Sequence, residues 1–136
     1  MGDDPKKSAV ELATGTAQQF MKLYYERMDT NRHKIGKIYL DNATMSWNGT
    51  KQEGVQGVQS FLLEKVPSSE HELHSLDAHP VMDFAVDGQT TVIVQAAGNV
   101  KYPSQKPKQF TQNFILTAQG DKWKVVTDVF RHEYNI

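Results

Sequence analysis

Cysteine is absent from all 136 residues. Without it there is no disulfide framework, no thiol nucleophile and no thiolate metal site. That composition is compatible with a reducing compartment. No apolar run approaches the roughly 20 residues that a membrane-spanning helix needs. The opening stretch, MGDDPKKSAVELATG, has no apolar signal core. Gly2 follows Met1, but position 6 is Lys6 rather than Ser or Thr, a poor match to a myristoylation signal. The expectation is a soluble intracellular domain with no membrane attachment. No charge of one sign dominates either. Fifteen basic side chains face 16 acidic ones, for a net charge of -1. That balance removes the electrostatic case for bulk nucleic-acid binding. No phosphate-cradling loop is present, since Gly54-Val55-Gln56-Gly57 lacks the Lys and the preceding strand of a P-loop. Nucleophilic-Ser motifs, repeats, low-complexity tracts and domain linkers are missing too.

What is there is enough for one core. Hydrophobic residues make up 38% of the chain and charged residues 23%, which argues against disorder. A chain of this length buries about two-thirds of its unfolded surface. We read residues 1–8 as a flexible N-terminus and 9–136 as one domain. Ser8 and Glu11 form a capping-box pattern that opens a helix. Ala13, Ala17, Phe20, Tyr24 and Met28 follow at helical spacing as one buried stripe. Gly15 within it is a weak point, or a place where another backbone comes close. Asp29 or Thr30 can cap a shorter helix carrying Ile35 and Ile38. Turn signals at Asp41-Asn42 and Asn48-Gly49 flank a short strand ending at Trp47. Val55, Val58, Phe61 and Leu62 mark another helix, stopped by Pro67.

Beyond Pro67 the period changes to that of extended chain. HELHSLDAHPVM reads as a strand, with Pro80 suggesting an edge or a bend. Asp87-Gly88 is a hairpin turn. QTTVIVQAAGNVKY is a long β-branched strand in which Gly98 marks a bulge or kink. After the loop PSQKPKQ come two more strands joined around Gly120-Asp121. The order predicts an α+β fold: one curved antiparallel sheet with helices packed on one side.

The last two strands, FTQNFILTAQGDKWKVVTDVFR, are apolar on both faces. Phe114 and Leu116 point one way and Ile115 the other. Strict alternation sets Trp123, Val125 and Val129 against Val126 and Phe130. A two-residue loop pairs Leu116 with Val125, and a three-residue loop pairs Thr117 with Val125. Helices from this chain can cover only one face, and an ordinary antiparallel sheet makes its other face polar. An apolar second face marks a protein interface, unless sheet curvature hides part of it.

The stretches YYERMDTNRHKIGKIYLDNATMSWNG, VPSSEH, LDAHPV, QNFILTAQ and WKVVTDVFR, taken in order, resemble the nuclear transport factor 2 family. They are most similar to its mRNA-export branch, from about Ala9 to Arg131. The resemblance implies a cone-shaped fold in which a bent sheet wraps the helices. It implies a subunit without enzymatic activity or cofactor. Its partner would be the large subunit of the mRNA export receptor, whose related domain docks on the outer sheet face. Contact with nucleoporin Phe-Gly repeats and with RNA would be indirect, through that heterodimer. Localisation would be shuttling between nucleus, nuclear pore and cytoplasm. On the last strand the resemblance places Arg131 and Val129 at the partner face, with Thr127 and Val125 on the same period-2 row. Gln95 and Asn113 match further interface positions. Arg131 is expected to meet a partner carboxylate, which a guanidinium can grip bidentately while keeping its charge. A solvated strand-end cation is the plainer reading.

The Ran-GDP carriers of the family use an acid after the Trp of a Trp-Glu-Gly stretch and acids in the loop after their third long strand. Here the first position is Asn48, and the loop from Lys101 to Gln109 holds Lys101, Lys106 and Lys108 with no acid. That loss of charge argues against Ran-GDP as a partner. The three lysines, with Tyr102 between them, would suit RNA phosphates beside a partner's basic surface; a solvated loop is the plainer reading. The same cone fold hosts isomerases and dehydratases with an internal acid or His. Asp128, His79, Asp77 and Asp41 are the candidates. An inward Asp128 would have its pKa raised by burial, as either a base or a hydrogen-bonded structural acid. His71 and His74 fall on opposite strand faces and cannot share a metal without a bulge.

Overall fold

The computed structural model describes residues 5–81, 91–120 and 122–133, with side chains from residue 10 onward. The elements are α1 (Pro5–Thr30), a 3-10 helix (Arg32–Ile38), β1 (Tyr39–Trp47), β2 (Thr50–Glu53), α2 (Val55–Glu64), β3 (Glu70–Val81), β4 (Thr91–Lys101), β5 (Lys108–Gln119) and β6 (Lys122–His132). The strands form one six-stranded sheet in the order β2-β1-β6-β5-β4-β3. The four long strands pair antiparallel, as their spacing predicts. The sheet as a whole is mixed, because β1 joins β6 in parallel.

The α1 stripe behaves as its 3.6-residue period requires. Ala13, Ala17, Phe20, Tyr24 and Met28 are all buried. Their partners come from alternate positions of the long strands: Val92, Val94, Ala96 and Val100 of β4, and Phe110, Phe114 and Leu116 of β5. Phe114 meets Tyr24 edge-on at 4.9 Å and Phe20 at 5.6 Å between ring centroids. Phe130 stacks on Trp47 at 3.8 Å, which fastens the end of β1 to the end of β6. Burial of such side chains supplies roughly 1.5–3 kcal/mol each.

Local signals are resolved differently from several expectations. The first helix begins at Pro5, so Ser8 lies inside it and is not its cap. Gly15 has no atom within 4 Å of where a Cβ would stand, so no second backbone approaches there. Asn31, not Asp29 or Thr30, precedes the 3-10 helix; Ile35 and Ile38 are buried in it as predicted. Asp41-Asn42 lies within β1, at an irregularity of the β1–β6 register rather than at a turn. The Asp87-Gly88 turn falls outside the described residues.

Gly98 does not bulge; its neighbour does. The extra residue is His74 of β3, between the pairs Leu73–Gly98 and Ser75–Ala97. A Cβ on Gly98 would stand 1.9 Å from the Glu72 carbonyl oxygen, so only glycine allows the two backbones this close. β3 is an edge strand, which suits Pro80.

Candidate partner interface

The opposite faces of β5 are set by the turn that follows it. Gln119 pairs with Lys122 across a two-residue loop, with Gly120 at φ 64°, a left-handed conformation that glycine adopts at low cost. That loop pairs Leu116 with Val125. Phe114 and Leu116 are then buried, while Ile115 is 36% exposed.

On β6 strict alternation fails. The register shifts between Ile115 and Leu116, whose partners are Thr127 and Val125, leaving Val126 as an extra residue. A bulge of this kind resets which side chains face inward. Val125 is therefore fully buried. Its expected place on the outer row with Thr127, Val129 and Arg131 is corrected: Val125 belongs to the core. After the bulge, Asp128 and Phe130 point in, whereas Val129 and Arg131 are exposed.

The outer face is organised in rows across the strands. Ile93, Ile115 and Thr127 stand side by side, and Thr127 pairs with Thr44 of β1. The next row is Gln95, Asn113 and Val129, followed by Ala97, Thr111 and Arg131. Ile93, Ile115 and Val129 are 37%, 36% and 40% exposed and adjoin one another directly or diagonally. Gln95 and Asn113 bring amide donors and acceptors into the middle of this patch. Arg131 is exposed and makes no ion pair among the described residues. It lines a surface cleft of about 560 Å³ together with His74, Asn99 and Thr111. Five of the six expected interface residues thus share one face.

The inner face holds a polar cluster that the sequence signalled only through Asp128. Its carboxylate accepts hydrogen bonds from Tyr39 (2.6 Å), Tyr24 (3.2 Å) and the Gln112 amide (2.9 Å). Tyr25 in turn donates to Gln112 Oε1 at 3.1 Å. Burial pushes the Asp128 carboxyl up to about 6, against the downward pull of these donors. Burial, reinforced by the neighbouring Asp128 charge, lifts the hydroxyls of Tyr24 and Tyr39 well above their ordinary range. Both carboxylate oxygens are occupied by core side chains, the arrangement of a structural acid. The other acid-base candidates are not inside: Asp41, Asp77 and His79 are exposed.

A second cluster ties α1 to the start of β3. Asp29 accepts hydrogen bonds from Ser69 Oγ (2.8 Å) and the His71 backbone (2.8 Å), and its Oδ1 lies 2.7 Å from His71 Nδ1. Burial alone would raise Asp29, but the His71 and Ser69 contacts outweigh it and hold the carboxyl below its usual range. Arg32 caps the same junction by donating to the carbonyls of Leu62, Val66 and Pro67. His71 stacks on Tyr25 inside, whereas His74 lines the outer cleft, so the two imidazoles lie on opposite faces.

At the Trp47-Asn48-Gly49 turn, Asn48 is a structural residue. Its Oδ1 accepts the His132 backbone N–H at 2.9 Å, and its Nδ2 meets the His132 ring at 3.0 Å. At the β4–β5 connection Tyr102 is buried with Lys108 of β5 5.8 Å above its ring, while Lys101 at the end of β4 and Lys106 in the loop are exposed.

Comparison with known proteins follows the same lines. The model of the nuclear transport factor 2 (NTF2) domain matches residues 16–132. NTF2-related export protein 2 of Mus musculus is 41% identical over 131 residues, which span 93% of this chain and 92% of that protein. The structure of nuclear transport factor 2 from Cryptosporidium parvum superposes with a TM-score of 0.79 at 23% identity, covering 89% of this chain and 94% of that one. A chain of the C. albicans Mtr2-Mex67 M domain complex superposes with a TM-score of 0.73 at 14% identity, covering 91% and 98%. On the family match and the level of identity, this chain belongs to the nuclear transport factor 2 family.

Proposed function

We propose that this chain is the small, non-enzymatic subunit of an mRNA export receptor that docks its outer sheet face on the related domain of a larger partner. The carrying observation is the uncovered patch of Ile93, Ile115 and Val129. The helices are spent on the other face, and a second related sheet is the shape that complements this one. Each of these side chains is already more than half buried, so docking adds roughly 0.5–1 kcal/mol apiece. Orientation then comes from polar anchors at the centre and rim: Gln95, Asn113 and Arg131. The similarity to an export protein and to a chain of a two-protein complex supports the same reading.

Nucleoporin repeats and RNA would be reached through the heterodimer, in a cycle between nucleus, nuclear pore and cytoplasm. Asp128, held by three donors inside a packed core, supports a structural role over a catalytic one. Asn48, committed to His132, and the acid-free β4–β5 loop supply no acid at the two places where the family's Ran-GDP carriers use one, which argues against a Ran-like partner.

Affinity capture from nuclear extract tests the proposal. The wild-type chain should retain one larger protein at 1:1 stoichiometry, and Arg131→Asp should lose it while keeping its circular dichroism. Recovery of the chain alone, or retention of the same protein by Arg131→Asp, would contradict the assignment.

A further inference from the structure

A groove of about 550 Å³ lies far from the outer face, between α1, the 3-10 helix and the start of β6. Its floor is apolar: Phe20, Leu23, Ile38 and Trp123. Its rim is cationic, built from Arg27, Lys37, Lys122 and Lys124, and no carboxylate lines it among the described residues. In a chain with 15 basic and 16 acidic side chains, this clustering of one sign is a local feature, not a bulk one.

Two of the cations are held in place by backbone carbonyls. Arg27 Nη1 donates to the Lys34 carbonyl at 3.2 Å, and Lys124 Nζ donates to the Lys37 carbonyl. Each keeps further N–H donors for a ligand. Leu23 is 36% exposed at the groove. Leu12, 64% exposed, sits on the same helical face through Thr16 and Gln19, at spacings of four, three and four. The groove lining itself runs along α1 from Thr16 to Arg27, about three helical turns, and Leu12 adds about one turn beyond it, too long for a compact small molecule.

We propose that this groove binds an acidic peptide segment of another protein, with a bulky apolar side chain of that segment seated on Leu23, Ile38 and Trp123. The charge of the rim selects carboxylates, and the apolar floor selects an apolar anchor that a phosphate backbone does not carry. The site is independent of the outer-face interface. Lys122 and Arg131 stand at opposite ends of β6, nine residues apart, or about 30 Å at the usual strand rise.

The probe is a fluorescein-labelled synthetic dodecapeptide of Glu and Asp carrying one Phe and one Leu, read by polarisation against the full chain. We expect saturable binding that weakens at least tenfold between 50 and 300 mM salt. Replacing Phe and Leu of the peptide by Ser should weaken it at least tenfold. So should the chain variant Lys37→Glu/Lys122→Glu/Lys124→Glu, and Leu23→Asp, whereas Arg131→Asp should leave it unchanged. Equal binding of the Ser peptide, displacement on equal terms by a single-stranded RNA dodecamer, or indifference to the groove variants would overturn the proposal. So would no binding at millimolar peptide. Should a groove variant fail to fold, the peptide and salt comparisons on the wild-type chain still decide.

Discussion

Residues 112 to 115 of β5 place the two faces of the sheet in direct contrast. Gln112 and Phe114 are essentially inaccessible; Asn113 is half-buried and Ile115 more than a third exposed. The inner pair is saturated: Gln112 bonds Tyr24, Tyr25 and Asp128, and Phe114 packs against Tyr24 and Phe20. The outer pair has the same mix of amide and apolar side chain with none of the described residues laid over it. The inner residues are thus committed to the fold, and the outer ones are free to serve a partner.

Breaking the apolar pair gives the largest contrast. Phe114→Ala should cost about 3–5 kcal/mol of unfolding free energy in urea, whereas Ile115→Ala should cost less than about 1 kcal/mol. Comparable losses for both would mean that the outer face is structurally committed as well.

Next in size is the pH dependence that Asp128 imposes. Its carboxyl is raised to about 6 in the folded chain, against about 3.9 unfolded. The folded state therefore binds the extra proton between these values. Stability is fully present below about pH 4 and declines as pH rises toward 6, by on the order of 2–3 kcal/mol. Asp29, held below its ordinary range, acts with the opposite sign: its contribution is present above the unfolded value and is lost as pH falls through it, so it offsets the decline only at the acid edge of this window. Asp128→Asn should flatten the slope in thermal melts from pH 4 to 6; an unchanged slope would assign it to another group.

The smallest contrast is between the two amides. Gln112→Ala leaves Tyr25 and Asp128 short of a partner and should cost about 1–2 kcal/mol, while Asn113→Ala should stay within about 0.5 kcal/mol. Urea midpoints of the two variants check this.

Much of the fold was legible because periodicity reports burial. The α1 stripe and the four long strands follow directly from it, and an apolar second face was visible in the last two strands, through Ile115 and Val129; Ile93 carried no such signal. What alternation cannot show is a bulge. One unpaired residue, Val126, turned Val125 inward while leaving Val129 and Arg131 outside, and His74 did the same on β3 where Gly98 had drawn attention. The parallel joining of β1 to β6 is a long-range choice with no local signal. The inner polar cluster had a partial one: Gln112 interrupts the apolar row Phe110, Phe114, Leu116, and a polar residue on a buried row needs partners. The groove was not legible at all, since its cations come from three separated segments.

The central claim is that the outer face is covered by a partner while the inner face is not changed by it. Isoleucine methyl NMR with a soluble paramagnetic agent measures both together. In the free chain the Ile93 and Ile115 methyls should be bleached and that of Ile35 spared. On adding the partner's related domain, Ile93 and Ile115 should become protected, with Ile35 unchanged. Persistent bleaching of Ile93 and Ile115 in a formed complex would contradict the account.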